Sequence, residues 1–209
     1  MWLKLSAIPL IIDRSKISDK QINPALKRDL TDKKEFVMSQ QKEIFIRIDR
    51  CTGCRSCEVA CAVEHSTSKS LFAAISETPV PRKRLYIETS KVYNIPLLCR
   101  HCEDAPCMRA CQTGALSQDA ITRVVSHDPD KCIGCWMCTM VCPYGVIGRL
   151  KEQRVAIKCD RCPERDEPAC VGACPTRALV YSEEEAFSGT VRTKAASQVA
   201  EGYAAEKSA

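Results

Sequence analysis

Cys51-Thr-Gly-Cys54-Arg-Ser-Cys57-Glu-Val-Ala-Cys61 sets the frame for this chain of 209 residues. Its spacing, C-x2-C-x2-C-x3-C, returns unchanged at Cys132, Cys135, Cys138 and Cys142. Two stretched versions alternate with it. Cys99, Cys102, Cys107 and Cys111 read C-x2-C-x4-C-x3-C, and Cys159, Cys162, Cys170 and Cys174 read C-x2-C-x7-C-x3-C. All 16 cysteines fall into four complete groups. The order is compact, stretched, compact, stretched, as if one unit of two groups had been duplicated. The repeat alone does not decide which groups share a module.

The compact spacing is the ligand run of two-cluster bacterial ferredoxins. A [4Fe–4S] cube has four iron corners, each needing one thiolate. Three cysteines two residues apart can loop around one cube. The last two cysteines of every group are four apart, on one face of a helical turn. In this run the fourth cysteine reaches the other cluster of a pair. Gly53 and Gly134 sit inside the loops, where a missing Cβ lets backbone N–H groups approach sulfide. Pro143 and Pro175 supply the proline that trails the pattern, which Ala62 and Gln112 do not. Disulfides are the wrong reading, because no secretory signal places the chain in an oxidising compartment. Structural zinc is wrong too, because zinc ribbons use two CxxC pairs per metal. The expected cofactors are four [4Fe–4S] clusters, and no group is a cysteine short.

Composition agrees. The hydrophobic fraction is 45 %, but it counts cysteine, and aromatics are only 5 %. Inorganic clusters must therefore fill much of the interior, and folding should depend on metal. The net charge of +5 counts neutral thiols. Each oxidised cluster with its thiolates carries about −2, which brings the holoprotein to about −3. Arg55, Arg100, Arg109, Lys131, Lys158 and Arg161 stand within or beside the groups, where cations favour thiolates. The basic excess is thus internal compensation, and no nucleic-acid partner is expected. His65, His101 and His127 read as surface or hydrogen-bonding residues, since thiolates fill every iron corner. His101, between Cys99 and Cys102, is placed to donate to a cluster sulfur and raise its potential. Trp136 and Met137 read as cluster packing. No dinucleotide, P-loop or nucleophile-elbow motif is present, so the chain is not expected to be an enzyme by itself.

Along the chain, residues 1–37 differ from the rest and read as an extension, dispensable or not native. Leu5–Ile12 is apolar, interrupted by Ser6 and Pro9, and too short to span a membrane. A helix is predicted over Asn23–Lys34, and the working unit is expected to begin at Met38. Strands are predicted at Ile44–Ile48, Ala120–Ser126, Val146–Leu150, Arg154–Ile157 and Ala178–Tyr181. A hairpin pairs Leu85–Glu88 with Val92–Ile95, and Leu71–Ile75 reads as a short helix. Beyond Ser182, Glu183–Phe187 and Thr193–Glu206 read as helical with little to pack on.

Taken together, Cys51–Cys174 resembles the four-cluster iron–sulfur subunits of dimethyl sulfoxide reductase, formate dehydrogenase and hydrogenlyase complexes. The likeness covers roughly residues 44–181. It implies an α+β fold of two ferredoxin-like modules with short strands and hairpins, the second inserted within the first. Residues 38–98 and 152–181 would form the first module, 99–151 the inserted one and 182–209 a tail. By the same likeness, cluster one takes Cys51, Cys54, Cys57 and Cys174. Cluster four takes Cys159, Cys162, Cys170 and Cys61. Cluster two takes Cys99, Cys102, Cys107 and Cys142, and cluster three takes Cys132, Cys135, Cys138 and Cys111.

A closer resemblance is to the ferredoxin-like subunit family (CooF) that accompanies nickel–iron carbon monoxide dehydrogenase. It is carried by Cys57-Glu-Val-Ala-Cys61-Ala-Val-Glu-His-Ser66 and Ser68-Lys-Ser-Leu-Phe-Ala-Ala-Ile75. It implies an electron relay from the carbon monoxide dehydrogenase catalytic subunit to a hydrogenase or a flavin-dependent NAD(P) reductase. The alternative is the same relay role in a formate dehydrogenase, hydrogenlyase or molybdopterin oxidoreductase complex. The expected location is cytoplasmic, or peripheral to the membrane through a partner, with no direct membrane span. Residues 62–98 and 182–209 are the expected docking stretches.

Overall fold

The computed structural model describes residues 41–207. The readings made on the extension, the helix over Asn23–Lys34 and the start at Met38 lie outside them.

The chain is α+β, built from four two-stranded antiparallel pairs and short helices. Strand β1 (Lys42–Ile46) pairs with the far end of the sequence, β8 (Leu179–Glu183), setting Ile44 opposite Tyr181 and Ile46 opposite Leu179. That pairing closes the first cysteine group onto the last. β2 (Leu85–Ser90) and β3 (Tyr93–Leu98) form a hairpin in which Leu85 and Ile87 are buried, as the period-two pattern requires. Helix α1 (Ser56–Glu64) buries Cys57, Glu58 and Cys61 on one face. It packs against α5 (Ala169–Gly172), which carries Cys170. Helix α2 (Leu71–Ile75) falls where the sequence places it.

Cysteine does much of the packing. One core gathers Ile44, Cys57, Cys61, Leu85, Cys170 and Leu179, with Cys51 and Cys174 against it. A second gathers Leu116, Val125, Cys138 and Ile147, with Cys102, Cys107, Cys111, Cys132 and Cys142 against it. The second core is framed by α3 (Pro106–Arg109), which rests on α4 (Met137–Val141), and by two small ladders. These are β4 (Leu116–Gln118) with β5 (Val125–His127), and β6 (Gly148–Leu150) with β7 (Val155–Ile157). The strand predicted over Ala120–Ser126 is mostly turn. The Asp119 carboxylate accepts the amide hydrogens of Ile121 and Thr122 at 2.9 and 2.6 Å, and only Val125 onward pairs.

Buried charges hold the segments together. Glu58 accepts the Ile87 amide hydrogen at 2.7 Å and an ion pair from Lys83 at 2.7 Å. The Lys158 ammonium donates to the carbonyls of Val125 and Cys159. Arg161 donates to the carbonyls of Lys42 and Thr122 and pairs with Glu43.

The two helices predicted in the tail are one, α6 (Glu184–Lys207). It is anchored at its start by Phe187, stacked on Phe45 with ring centroids 4.3 Å apart, and by Lys194 against Asp49 at 3.6 Å. No helix among the described residues is long and apolar enough to cross a membrane.

Candidate metal centres

Each cysteine loop is held open by left-handed backbone. Gly53 and Gly134 have φ of +74° and +67°. Close approach excludes a side chain as well: a Cβ at Gly134 would stand 2.3 Å from the Arg154 carbonyl oxygen, and one at Gly53 2.8 Å from the Asn94 side chain. The residues opening α1 and α4, Arg55 and Trp136, are also left-handed, with φ of 60° and 65°. The chain therefore turns sharply after Cys54 and Cys135, and these two cysteines are exposed.

Two cavities are lined by cysteines from distant parts of the chain. One is bordered by Cys51, Cys54, Cys57 and Cys174. The other is bordered by Cys99, Cys102, Cys107 and Cys142, together with His101. Thiol electrostatics link the same residues. Burial pushes the Cys57 thiol up to about 11, with the charge of Cys174 adding to the effect. Burial pushes Cys61 up to about 12, and the charges of Cys159 and Cys162 oppose its ionisation. Cys170 is raised by burial and by Cys159, Cys61, Cys162 and Cys57. Burial raises Cys107, with Cys99 and Cys142 contributing. It lifts Cys138 to about 11, with Cys132, Cys107, Cys111 and Cys135 nearby. Cys159, raised to about 11 by burial, also feels Cys99 across the junction of the two cores.

Such thiol sets are costly to bury without a metal, since the charged forms repel and the neutral forms leave weak donors unused. They fit [4Fe–4S] clusters on three further observations. Amide hydrogens of Arg84, Arg161 and Ala178 point at the sulfurs of Cys61, Cys159 and Cys174 at 3.3, 3.4 and 3.2 Å. Thr113 and Thr176, each two residues past a fourth cysteine, set a hydroxyl near the sulfurs of Cys111 and Cys174. His101 has a buried Nε2 without a protein partner, and the residue borders the second cavity. An orphaned donor beside four thiols is the mark of a missing acceptor.

The cations named from sequence divide. Lys158 is 3 % exposed and favours the thiolates of Cys107 and Cys159. Arg161 is 9 % exposed and ties segments together. Arg109 and Lys131 do not serve the thiolates, being held in exposed pairs by Asp104 and Asp128. Met137, read as packing, is 37 % exposed. Sequence reasoning also missed a network beside Cys61. Arg84 and His65 both meet the Asp160 carboxylate, and His65 Nδ1 lies 2.7 Å from the Cys61 carbonyl oxygen. Burial opposes ionisation of Asp160, but His65, Arg84 and the Cys162 amide more than offset it, so its pKa lies well below the carboxylate range. The only signal in the sequence was the position of Asp160, between two cysteines of one group.

A 4Fe-4S dicluster domain family matches residues 90–184, and a 4Fe-4S binding domain family matches residues 48–64. An "Iron-sulfur protein" of Rhodospirillum rubrum is 36 % identical over 177 residues, covering 77 % of this chain and 92 % of the relative. The chain belongs to the 4Fe–4S dicluster, ferredoxin-like electron-transfer family. The "Electron transport protein HydN" of Escherichia coli is 38 % identical over 63 % of this chain and 82 % of the relative. A component of the anaerobic dimethyl sulfoxide reductase of the same organism is 36 % identical over 69 % of this chain and 74 % of the relative. This family member is an iron–sulfur electron-transfer protein with thiols for four [4Fe–4S] clusters.

Proposed function

We propose that the sixteen cysteines are shared between clusters in the crossed pattern, three from one group and the fourth from another. Cluster one would use Cys51, Cys54, Cys57 and Cys174, and cluster four Cys159, Cys162, Cys170 and Cys61. Cluster two would use Cys99, Cys102, Cys107 and Cys142, and cluster three Cys132, Cys135, Cys138 and Cys111. The single observation that carries this reading is the cavity bordered by Cys51, Cys54, Cys57 and Cys174, whose members come from opposite ends of the described chain. Bound clusters supply reversible one-electron storage, and the chain supplies ligands, burial and hydrogen bonds that set each potential.

The thiol neighbourhoods support an order for the relay. Cys57 and Cys170 link sites one and four, Cys159 and Cys99 link four and two, and Cys107 and Cys138 link two and three. The two ends are then sites one and three, the ones with an exposed cysteine, Cys54 and Cys135. In this scheme residues 38–98 with 152–181 and residues 99–151 are the two modules. The first core supports the one, and the second core supports the other but also takes in Ala156 through the β6–β7 ladder, past the boundary at residue 151.

The partner reading best supported is a molybdopterin oxidoreductase, formate dehydrogenase or hydrogenlyase complex, because one relative is a component of dimethyl sulfoxide reductase. A carbon monoxide dehydrogenase partner, with a hydrogenase or flavin-dependent NAD(P) reductase as acceptor, rests on the Ala62–Ser66 and Ser68–Ile75 stretches alone. Reduction kinetics separate the two. The oxidised protein should bleach faster with formate and formate dehydrogenase than with carbon monoxide and its dehydrogenase. Faster bleaching by the latter pair reverses the choice, and no bleaching by either, or by dithionite, ends the relay reading.

A further inference from the structure

The two loops with exposed cysteines are built alike but finished differently. Three equivalent positions carry the contrast. Arg50 precedes Cys51 as Lys131 precedes Cys132, and Arg55 follows Cys54 as Trp136 follows Cys135. Arg177 stands three residues past Cys174 as Gly114 stands three past Cys111. At the Cys135 loop none of these positions offers a free charge: Lys131 is held by Asp128 at 3.0 Å, and the other two are Trp136 and Gly114. Ile133 and Met140 beside them are exposed and apolar. At the Cys54 loop all three are arginines, and all are exposed. Among the described residues none has a carboxylate within ion-pair distance, and the neighbouring Asp49 is held by Lys194.

Conformation reinforces the point. Arg177 has φ of 53°, where its counterpart Gly114 has φ of 68° and open space where a side chain would go. Glycine adopts that backbone without strain, and arginine does not. A charged side chain is therefore kept where glycine would be easier. Arg55, with φ of 60°, borders the cavity of Cys51, Cys54, Cys57 and Cys174, and Arg50 and Arg177 flank residues that border it.

We infer that Arg50, Arg55 and Arg177 form a docking surface for an acidic redox protein, through which electrons enter or leave at the Cys54 end. The inference rests on the proposed relay and names the partner chemistry at one of its ends. Carboxylates on a partner complement three unpaired guanidiniums, which speeds encounter and sets orientation without a large buried area. Small contacts of this kind suit redox partners that must separate after each transfer. The exposed Cys54 then lies under the contact, where a short path through one ligand serves.

The test uses the reconstituted full chain and an acidic flavodoxin as probe. Binding is measured at ionic strengths of about 0.01 M and about 0.15 M, between which the Debye length contracts from about 30 Å to about 8 Å. Affinity should fall by more than about tenfold across that range. The combined Arg50→Glu, Arg55→Glu and Arg177→Glu variant should bind about a hundredfold more weakly at low salt, whereas Met140→Glu at the other loop should change it less than about twofold. Arg177→Gly, which installs the residue of the equivalent loop, should bind about tenfold more weakly while resisting denaturant better than the parent. That variant keeps the idea testable if the triple change impairs cluster uptake. Equal binding by parent and Arg177→Gly, absence of parent binding at low salt, or tighter binding to single-stranded RNA than to flavodoxin would each overturn the inference. Loss of dithionite bleaching with flavodoxin binding intact would instead fault the relay reading and leave the surface standing.

Discussion

His101 Nδ1 accepts the amide hydrogen of Val125 at 3.0 Å, so the proton of the neutral ring is on Nε2. That nitrogen is buried without a protein partner, and His101 borders the cavity of Cys99, Cys102, Cys107 and Cys142. Val125 is itself pinned, its carbonyl accepting from Lys158. The ring is thus oriented by one strand residue and available to donate toward a cluster. A hydrogen bond to sulfur stabilises the more negative, reduced state. His101→Phe should keep full iron content and shift one of four potentials to a more negative value in film voltammetry. Unchanged potentials with intact iron would remove His101 from the electron-transfer machinery.

The same ring makes stability sensitive to acid. Burial pushes its pKa from 6.5 down to about 3, with Lys158 and Arg161 adding to the effect. The folded protein therefore keeps His101 neutral where an unfolded chain would take up a proton. Its contribution is complete above pH 6.5 and is lost progressively as pH falls toward about 3. Asp160 acts later: its depressed pKa contributes stability that is lost only below the ordinary carboxylate value of 3.8. Denaturant midpoints should fall between about pH 7 and about pH 5, and His101→Asn should flatten that slope. An equally steep slope in the variant would assign the acid sensitivity elsewhere.

Gly134 and Gly114 separate crowding from conformational strain. Both have positive φ, but only at Gly134 would a new Cβ meet backbone, the Arg154 carbonyl oxygen at 2.3 Å. Gly114→Ala should cost about 1 kcal/mol. Gly134→Ala should cost several times that, about 3 kcal/mol or more, and release iron from the site of Cys132, Cys135 and Cys138. Equal melting temperatures for the two variants would show that the loop adjusts without cost.

Metal content and fold should be lost together. Cys57, Cys61, Cys138 and Cys170 are buried in the cores and Cys162, of the fourth cysteine group, is buried beside them, so stripping leaves mutually repelling or unused thiols in the interior. Anaerobic reconstitution should give about sixteen irons and sixteen sulfides per chain. Chelation should abolish the circular dichroism of the native state, and an apo form that keeps it would count against metal-coupled folding. Cys61→Ser should perturb the cluster of Cys159, Cys162 and Cys170. A spectroscopic change mapping instead to Cys99, Cys102 and Cys107 would refute the crossed assignment.

The cysteine spacing determined the chemistry by itself, because bringing three thiolates around one cube is a local act of a few residues. Local signals also sufficed for α2 at Leu71–Ile75 and for the hairpin of β2 and β3. Strand β4 at Leu116–Gln118 escaped, since three residues carry too little periodicity to register. Ala120–Ser126 misled for a related reason: its β-branched residues read as strand, while the Asp119 carboxylate makes most of it a turn. Which distant residues meet was a matter for tertiary structure alone. The register of β1 against β8 brings Cys51 and Cys174 to one cavity, and no spacing within either segment encodes that. The fates of the cations were decided the same way. Lys158 and Lys131 look alike beside their cysteines, yet one is buried between carbonyls and the other pairs with Asp128 at the surface. Burial depends on what the rest of the chain packs over a side chain, and that is settled only when the two cores close.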